Sequence, residues 1–197
     1  FSLSDGQRYV RTGFMGRLRL TEWEQGVYRH ERTRVGPRMD RLMLIRAVHA
    51  NMSPVFGLYS DPEQEIRRWL EPDSQPLVDV VDDDGVQHIF WRIQDSTTVQ
   101  AISQAMADRD VVIADGHHRY ETALTYRAER RAAEGDPDQP QPYDYVLMYL
   151  TALEDPGLVV LPTHRVVTGN ALLDERALLK LKYRDFLYNP LRYRTHL

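Results

Sequence analysis

Cysteine is absent from the 197 residues, and that one absence removes disulfides, thiolate metal sites and thiol nucleophiles together. It fits a reducing compartment. No apolar run approaches the roughly 20 residues of a membrane-spanning helix, and no signal-peptide pattern opens the chain. A cytoplasmic protein with no membrane partner is the expectation. A basic excess is missing as well. The formal net charge is −4, so no general surplus of cations collects phosphates, and nucleic acid is not an expected partner. The histidines, at positions 30, 49, 88, 117, 118, 164 and 196, show no helical i, i+4 pair or ligand-rich run, which argues against metal binding as the main role.

What is present is ordinary for a globular chain: 42% hydrophobic and 27% charged residues. The length suits one α+β domain over 1–197. The opening at Phe1 and the ending "LRYRTHL" read as the ends of a fragment whose terminal regions are missing. "FMGRLRL" (14–20) alternates as a strand does, and Thr21 and Glu24 in "TEWE" stand at capping-box spacing for a short helical turn. "GPRMDRLMLIRAVHA" carries Pro37 at a helix start, followed by Met39, Leu42, Leu44, Ile45 and Val48 at helical spacing. "SPVFGLY" (53–59) is a buried strand, and Asp61-Pro62 opens a helix through Leu70. Two β-rich runs around Asp84-Gly85 form a hairpin. A helix over 98–107, a strand "VVIA", a helix over 117–134 and a polar, proline-rich loop over 134–142 follow. "YDYVLMYLTAL" and "GLVVLP" are strands, and "ALLDERALLKLKY" is helical. Without strict βαβ alternation, the mixture indicates an α+β fold, a mixed sheet with packed helices.

The chemistry concentrates where "VVIA" meets the helix, at "DGHHRYETAL" (115–124). A helix start presents backbone N–H groups and the positive end of the dipole, a ready anion site. Gly116 permits a sharp turn. His117 and His118 supply imidazole donors, and Arg119 supplies a guanidinium fork suited to phosphate oxygens. Asp115 can cap the helix, hold a histidine or carry a cation such as Mg²⁺. At 100° per residue, His117, Tyr120, Ala123 and Leu124 share the core face, with His118, Thr122 and Thr125 nearly opposite. Arg127 and Arg131 fall on the apolar stripe, where they must snorkel or meet carboxylates.

"IADGHHRYETAL", with "HERT" (30–33), "NMSPVFGLY" (51–59) and "LPTHR" (161–165), resembles the family catalogued as domain of unknown function 1015. That resemblance runs from about Phe14 to Val167, and the family's greater usual length agrees with a fragment. The shorter "DGHHR" is similar to the phosphate-contacting motif of the ParB and sulfiredoxin-like superfamily. That similarity implies a phosphate-binding strand-turn-helix. Sulfiredoxin chemistry needs a cysteine, and no helix-turn-helix of the partition proteins is visible, which leaves the superfamily's free-serine kinases as the better match.

In those kinases the motif binds nucleotide phosphates and an upstream glutamate serves the substrate hydroxyl. By that resemblance Gly116, His117, His118 and Arg119 hold ATP or ADP, and Asp115 places Mg²⁺. Glu31, Asp115 and His118 take the catalytic roles. Read alone, Glu31 is either a base for an alcohol or part of an exposed ion pair with Arg29, Arg32 or Arg34. It belongs to no HExxH motif, since position 34 is arginine. Thr163, His164 and Arg165 form a second polar cluster after an apolar run, with Arg165 a further phosphate ligand. Arg41, Asn51 and Ser53 are candidates to line the same cleft. The expected activity is a nucleotide-dependent phosphotransferase acting on a small hydroxylated metabolite, free serine foremost. The alternatives are a nucleotide-sensing module without turnover and a nonenzymatic anion-binding domain.

Overall fold

The computed structural model describes residues 6–30, 35–71 and 74–160, with the backbone alone at 35–38. Glu31 and the cluster Thr163, His164 and Arg165 lie outside the described residues, as does the helix expected at "ALLDERALLKLKY".

A mixed five-stranded sheet is built from β1 (Phe14–Arg19), β2 (Val27–Tyr28), β3 (Val55–Tyr59), β6 (Val111–Asp115) and β7 (Tyr145–Ala152), in the order β1-β7-β3-β6-β2. β4 (Val78–Val81) and β5 (Gln87–Phe90) form a separate antiparallel hairpin turned at Gly85, as Asp84-Gly85 predicts. Among the described residues three α-helices accompany them: α1 (Val35–Val48), α2 (Ser96–Met106) and α3 (His117–Glu134). Asp95 caps α2, its carboxylate accepting from the Thr98 N–H at 2.7 Å. The architecture is the α+β arrangement the sequence implies.

The sheet's two parallel contacts, β3 with β7 and β2 with β6, are bridged by the antiparallel pairing of β3 with β6. Phe56 therefore lies opposite Asp115, and Val55 opposite Met148. The end of β6 and the beginnings of β3 and β7 share one end of the sheet. At its centre a Cβ on Gly57 would lie 2.8 Å from Val111 and 2.9 Å from Met148, so a side chain there would have to displace its core neighbours. Val55, Ile113, Tyr120, Val146 and Met148 fill the core beside them. Burying a side chain such as Ile113 stabilises by about 1.5–3 kcal/mol.

Two predicted helical segments are not helices. "TEWE" is a tight turn, because the Tyr120 hydroxyl takes both the N–H (3.1 Å) and the C=O (2.9 Å) of Thr21 and Glu24 enters the left-handed region at φ 67°. The segment after Asp61 is helical only as a 3₁₀ turn at Arg67–Leu70, since Gln64 sits at φ 52° and the Asp61 carboxylate takes the N–H groups of Glu65 and Ile66 at 3.0 Å each. No strand forms over 157–160, the described part of "GLVVLP". Among the described residues no helix is long and apolar enough to cross a membrane.

The awkward arginines of α3 meet carboxylates, as the stripe requires. Arg127 donates to the Leu20 carbonyl and the Glu22 carboxylate, each at 2.6 Å. Arg131 grips buried Asp144 through Nε at 2.8 Å and Nη2 at 2.7 Å, while Nη1 reaches Asp136 at 2.7 Å. This bidentate contact, helped by the Gln141 N–H, holds the Asp144 carboxyl below its ordinary value against the opposing effect of burial. A carboxylate depressed in the folded state stabilises above its unfolded pKa, near 4, and loses that contribution as pH falls through the folded value. Asp144→Asn should therefore be less stable at pH 7 and should lose less stability between pH 4 and 2 than wild type. Parallel urea titrations across that range measure it, and identical slopes for both proteins would remove Asp144 from the acid response.

Candidate functional site

The strand-turn-helix forms where the β-branched run predicts it. β6 ends at Asp115, Gly116 turns at φ 93° and ψ 26°, and α3 starts at His117. Only a residue without a Cβ adopts that φ cheaply. A Cβ there would also lie 2.8 Å from the Arg119 Nε, so the turn and the guanidinium are packed on each other. Gly116 at the N-cap has no side chain to cap the helix with, and the first intrahelical bond joins the Tyr120 N–H to the Gly116 carbonyl at 3.0 Å. The dipole's positive end thus faces a small pocket of about 100 Å³, lined by Arg41 and residues 115–119.

The members of this turn differ in setting. Asp115 is largely exposed and its carboxylate pairs with the Arg119 Nη2. Arg119 is folded back: its Nη1 donates to the Ser53 hydroxyl at 3.2 Å and to the Pro54 carbonyl. Ser53 and Arg41, drawn from the stretch before β3, therefore do reach the turn. His118 is half-buried and lines the pocket. His117 is buried, and its ring meets the His30 ring edge-on at a centroid distance of 4.5 Å. Its Nε2 accepts the His30 backbone N–H at 3.4 Å. Tyr120 has a packing role: fully buried, it packs against Trp23 at a centroid distance of 4.7 Å with the rings tilted by 45°. Thr122, expected on the polar side, is buried as well, because α1 packs along a second face of α3.

His30 is brought here by the parallel pairing of β2 with β6, which sets Val27 beside Val111 and Tyr28 beside Val112. Among the described residues no group of three or more His, Asp or Glu side chains is arranged to hold a metal. Asp115 offers one exposed carboxylate already engaged by Arg119, a donor set that fits a Mg²⁺ ion carried mainly by phosphate oxygens and water.

A family model described as "Protein of unknown function (DUF1015)" matches residues 2–190. The chain belongs to that family. Membership in DUF1015 covers the turn, the sheet and Glu31 together, and it carries no activity with it. No curated protein and no solved structure matches the chain.

Sequence reasoning missed a second concavity. A groove of about 460 Å³ runs between the end of α1, the middle of α3 and the 3₁₀ turn Pro142–Asp144, floored by Tyr126, Tyr143 and Tyr145. The His49 Nδ1 lies 2.7 Å from the Tyr126 hydroxyl, and Tyr143 donates to Glu134 at 2.6 Å. Burial and that acceptor push the Tyr143 phenol up to about 12, so it stays a donor throughout the neutral range. The available signal was the spacing of Arg119, Ala123, Tyr126 and Arg130, which places all four on one helical stripe.

Proposed function

We propose that the protein is a nucleotide-dependent phosphotransferase acting on a small hydroxylated metabolite, with free serine the first candidate. The observation that carries this reading is the pocket at the Gly116 start of α3, where Arg41, His118 and Arg119 converge on the positive end of a helix. ATP or ADP binds with its phosphates at the Gly116 turn. Arg119 offsets the charge that builds on the transferred phosphoryl group. Glu31 follows His30 in sequence, and His30 touches His117. Its carboxylate takes the proton of the attacking hydroxyl as the new P–O bond forms and the phosphoanhydride bond breaks. Asp115 would hold Mg²⁺, which would supply charge neutralisation for the phosphates.

The test is incubation of the full chain with ATP or ADP, Mg²⁺ and serine, followed by mass spectrometry. Phosphoserine formed in step with loss of a nucleotide phosphate, and abolished in Glu31→Gln, is the expected result. Nucleotide binding without any phosphorylated alcohol across a panel of small hydroxylated metabolites would discard transfer and leave a nucleotide-sensing module.

A further inference from the structure

We infer that the tyrosine-floored groove is the seat of a nucleobase, and that nucleotides lie along α3 with their phosphates at the Gly116 turn and their base over Tyr126 and Tyr143. The inference rests on the phosphate reading of that turn and adds to it the class of ligand the whole face selects.

Three observations carry it. The first is position. The turn sits at the end of β6 and Tyr145 at the start of β7, and the registers Phe56–Asp115 and Val55–Met148 put both at the same end of the sheet. The segment between α1 and β3 borders both concavities, since Asn51 lines the groove and Ser53 holds Arg119.

The second is span. Arg119, Ala123, Tyr126 and Arg130 follow one another along a single stripe of α3, and from Gly116 to Tyr126 the helix advances about 15 Å at 1.5 Å per residue. An extended nucleoside diphosphate reaches such a length. Ala123 and Ala50 put short side chains on the groove's lining.

The third is the chemistry of the lining. Flat rings dominate, and Arg130 lies over two of them, 6.0 Å from the Tyr126 centroid and 5.6 Å from that of Tyr143. The charges are internally matched, because Arg130 pairs with Glu134 and Tyr143 donates to the same carboxylate. Such a site does not select a second anion. It offers the planar guanidinium of Arg130, set over the Tyr126 and Tyr143 rings, for stacking, and the amides of Asn51 and Gln141 supply donors and acceptors for a heterocycle's edge. A volume of about 460 Å³ accepts a nucleoside.

Calorimetric titration of the full chain with pyrophosphate, ADP and CDP separates this inference from the phosphate reading beneath it. Wild type should bind at least one of the two nucleotides about tenfold or more tighter than pyrophosphate, a preference of the size base stacking supplies. Tyr143→Ala and the groove-filling Ala50→Trp should each erase that preference while leaving pyrophosphate affinity unchanged, which also certifies that the variants fold. Equal affinities for pyrophosphate, ADP and CDP in wild type would overturn the base site and spare the phosphate site. So would a nucleotide preference that survives both substitutions. Failure of all three ligands to bind at millimolar concentration would remove the phosphate reading, and the base site with it.

Discussion

Replacing Asp61 by alanine should lower the free energy of unfolding by about 3 kcal/mol. Asp61 is 1% exposed. Its carboxylate accepts the N–H groups of Glu65 and Ile66 at 3.0 Å and of Arg67 at 3.4 Å, and stands 3.3 Å from the Arg109 Nη2. Removing it strands a buried N–H at Ile66 and deprives Arg109 of its most buried partner, although Glu65 at 2.7 Å keeps part of that charge compensated. Asp61→Asn retains one acceptor oxygen and should cost roughly half as much. Urea unfolding measures both, and losses under about 1 kcal/mol for each variant would show that the cluster is dispensable. The cluster lies past the end of β3, opposite the sheet end that carries Gly116, so the folded fraction of either variant should bind pyrophosphate as wild type does.

Arg119→Ala should weaken nucleotide binding by about 2–4 kcal/mol, and Arg119→Lys should recover only part of that. The guanidinium is held before any ligand arrives, by Ser53 and Pro54 on one nitrogen and Asp115 on another. A lysine ammonium keeps the charge but cannot bridge those partners at once. His118→Ala should cost less in affinity than Arg119→Ala. Asp115 is a rival for the same fork, so Asp115→Asn should tighten pyrophosphate binding in the absence of Mg²⁺. Calorimetry of the four variants decides the matter. An unchanged affinity in Arg119→Ala would take Arg119 out of the site, and weaker binding in Asp115→Asn would mean that the carboxylate supports the anion rather than competing with it.

The strand-turn-helix was legible because its determinants are local: Val111, Val112 and Ile113 favour a strand, Gly116 alone tolerates φ 93°, and the helix formers follow directly. The hairpin at Gly85 was legible for the same reason. What escaped is long-range. Thr21 and Glu24 spell a capping box, yet Tyr120, 99 residues away, consumes the backbone groups of Thr21 that the box would use. Thr122 looked solvent-facing because one apolar stripe was assigned to α3, whereas the helix is covered on a second side by α1. The tyrosine groove joins His49 to Tyr126 across 77 positions, and no local pattern announces such a meeting. Of the proposed site, the turn was readable. The neighbours that shape it were only partly so, with Ser53 and Arg41 anticipated and the edge-on contact of His30 on His117 not.

The strand pairings also dictate an order of assembly. β1, β2 and β3 make no pairs among themselves; every ladder of the five-stranded sheet includes β6 or β7. Phe14 waits for Leu150, and Val27 for Val111. A chain emerging from the ribosome therefore carries three unpaired strands until Val111–Asp115 is made, and the sheet closes only after Tyr145–Ala152 follows. Contacts this distant in sequence slow folding and leave edges exposed in the interval. The strand that presents the Asp115-Gly116 turn is thus the first on which the earlier strands Val27–Tyr28 and Val55–Tyr59 can condense, so the proposed phosphate site belongs to the half of the sheet that is able to form before Tyr145–Ala152 completes it.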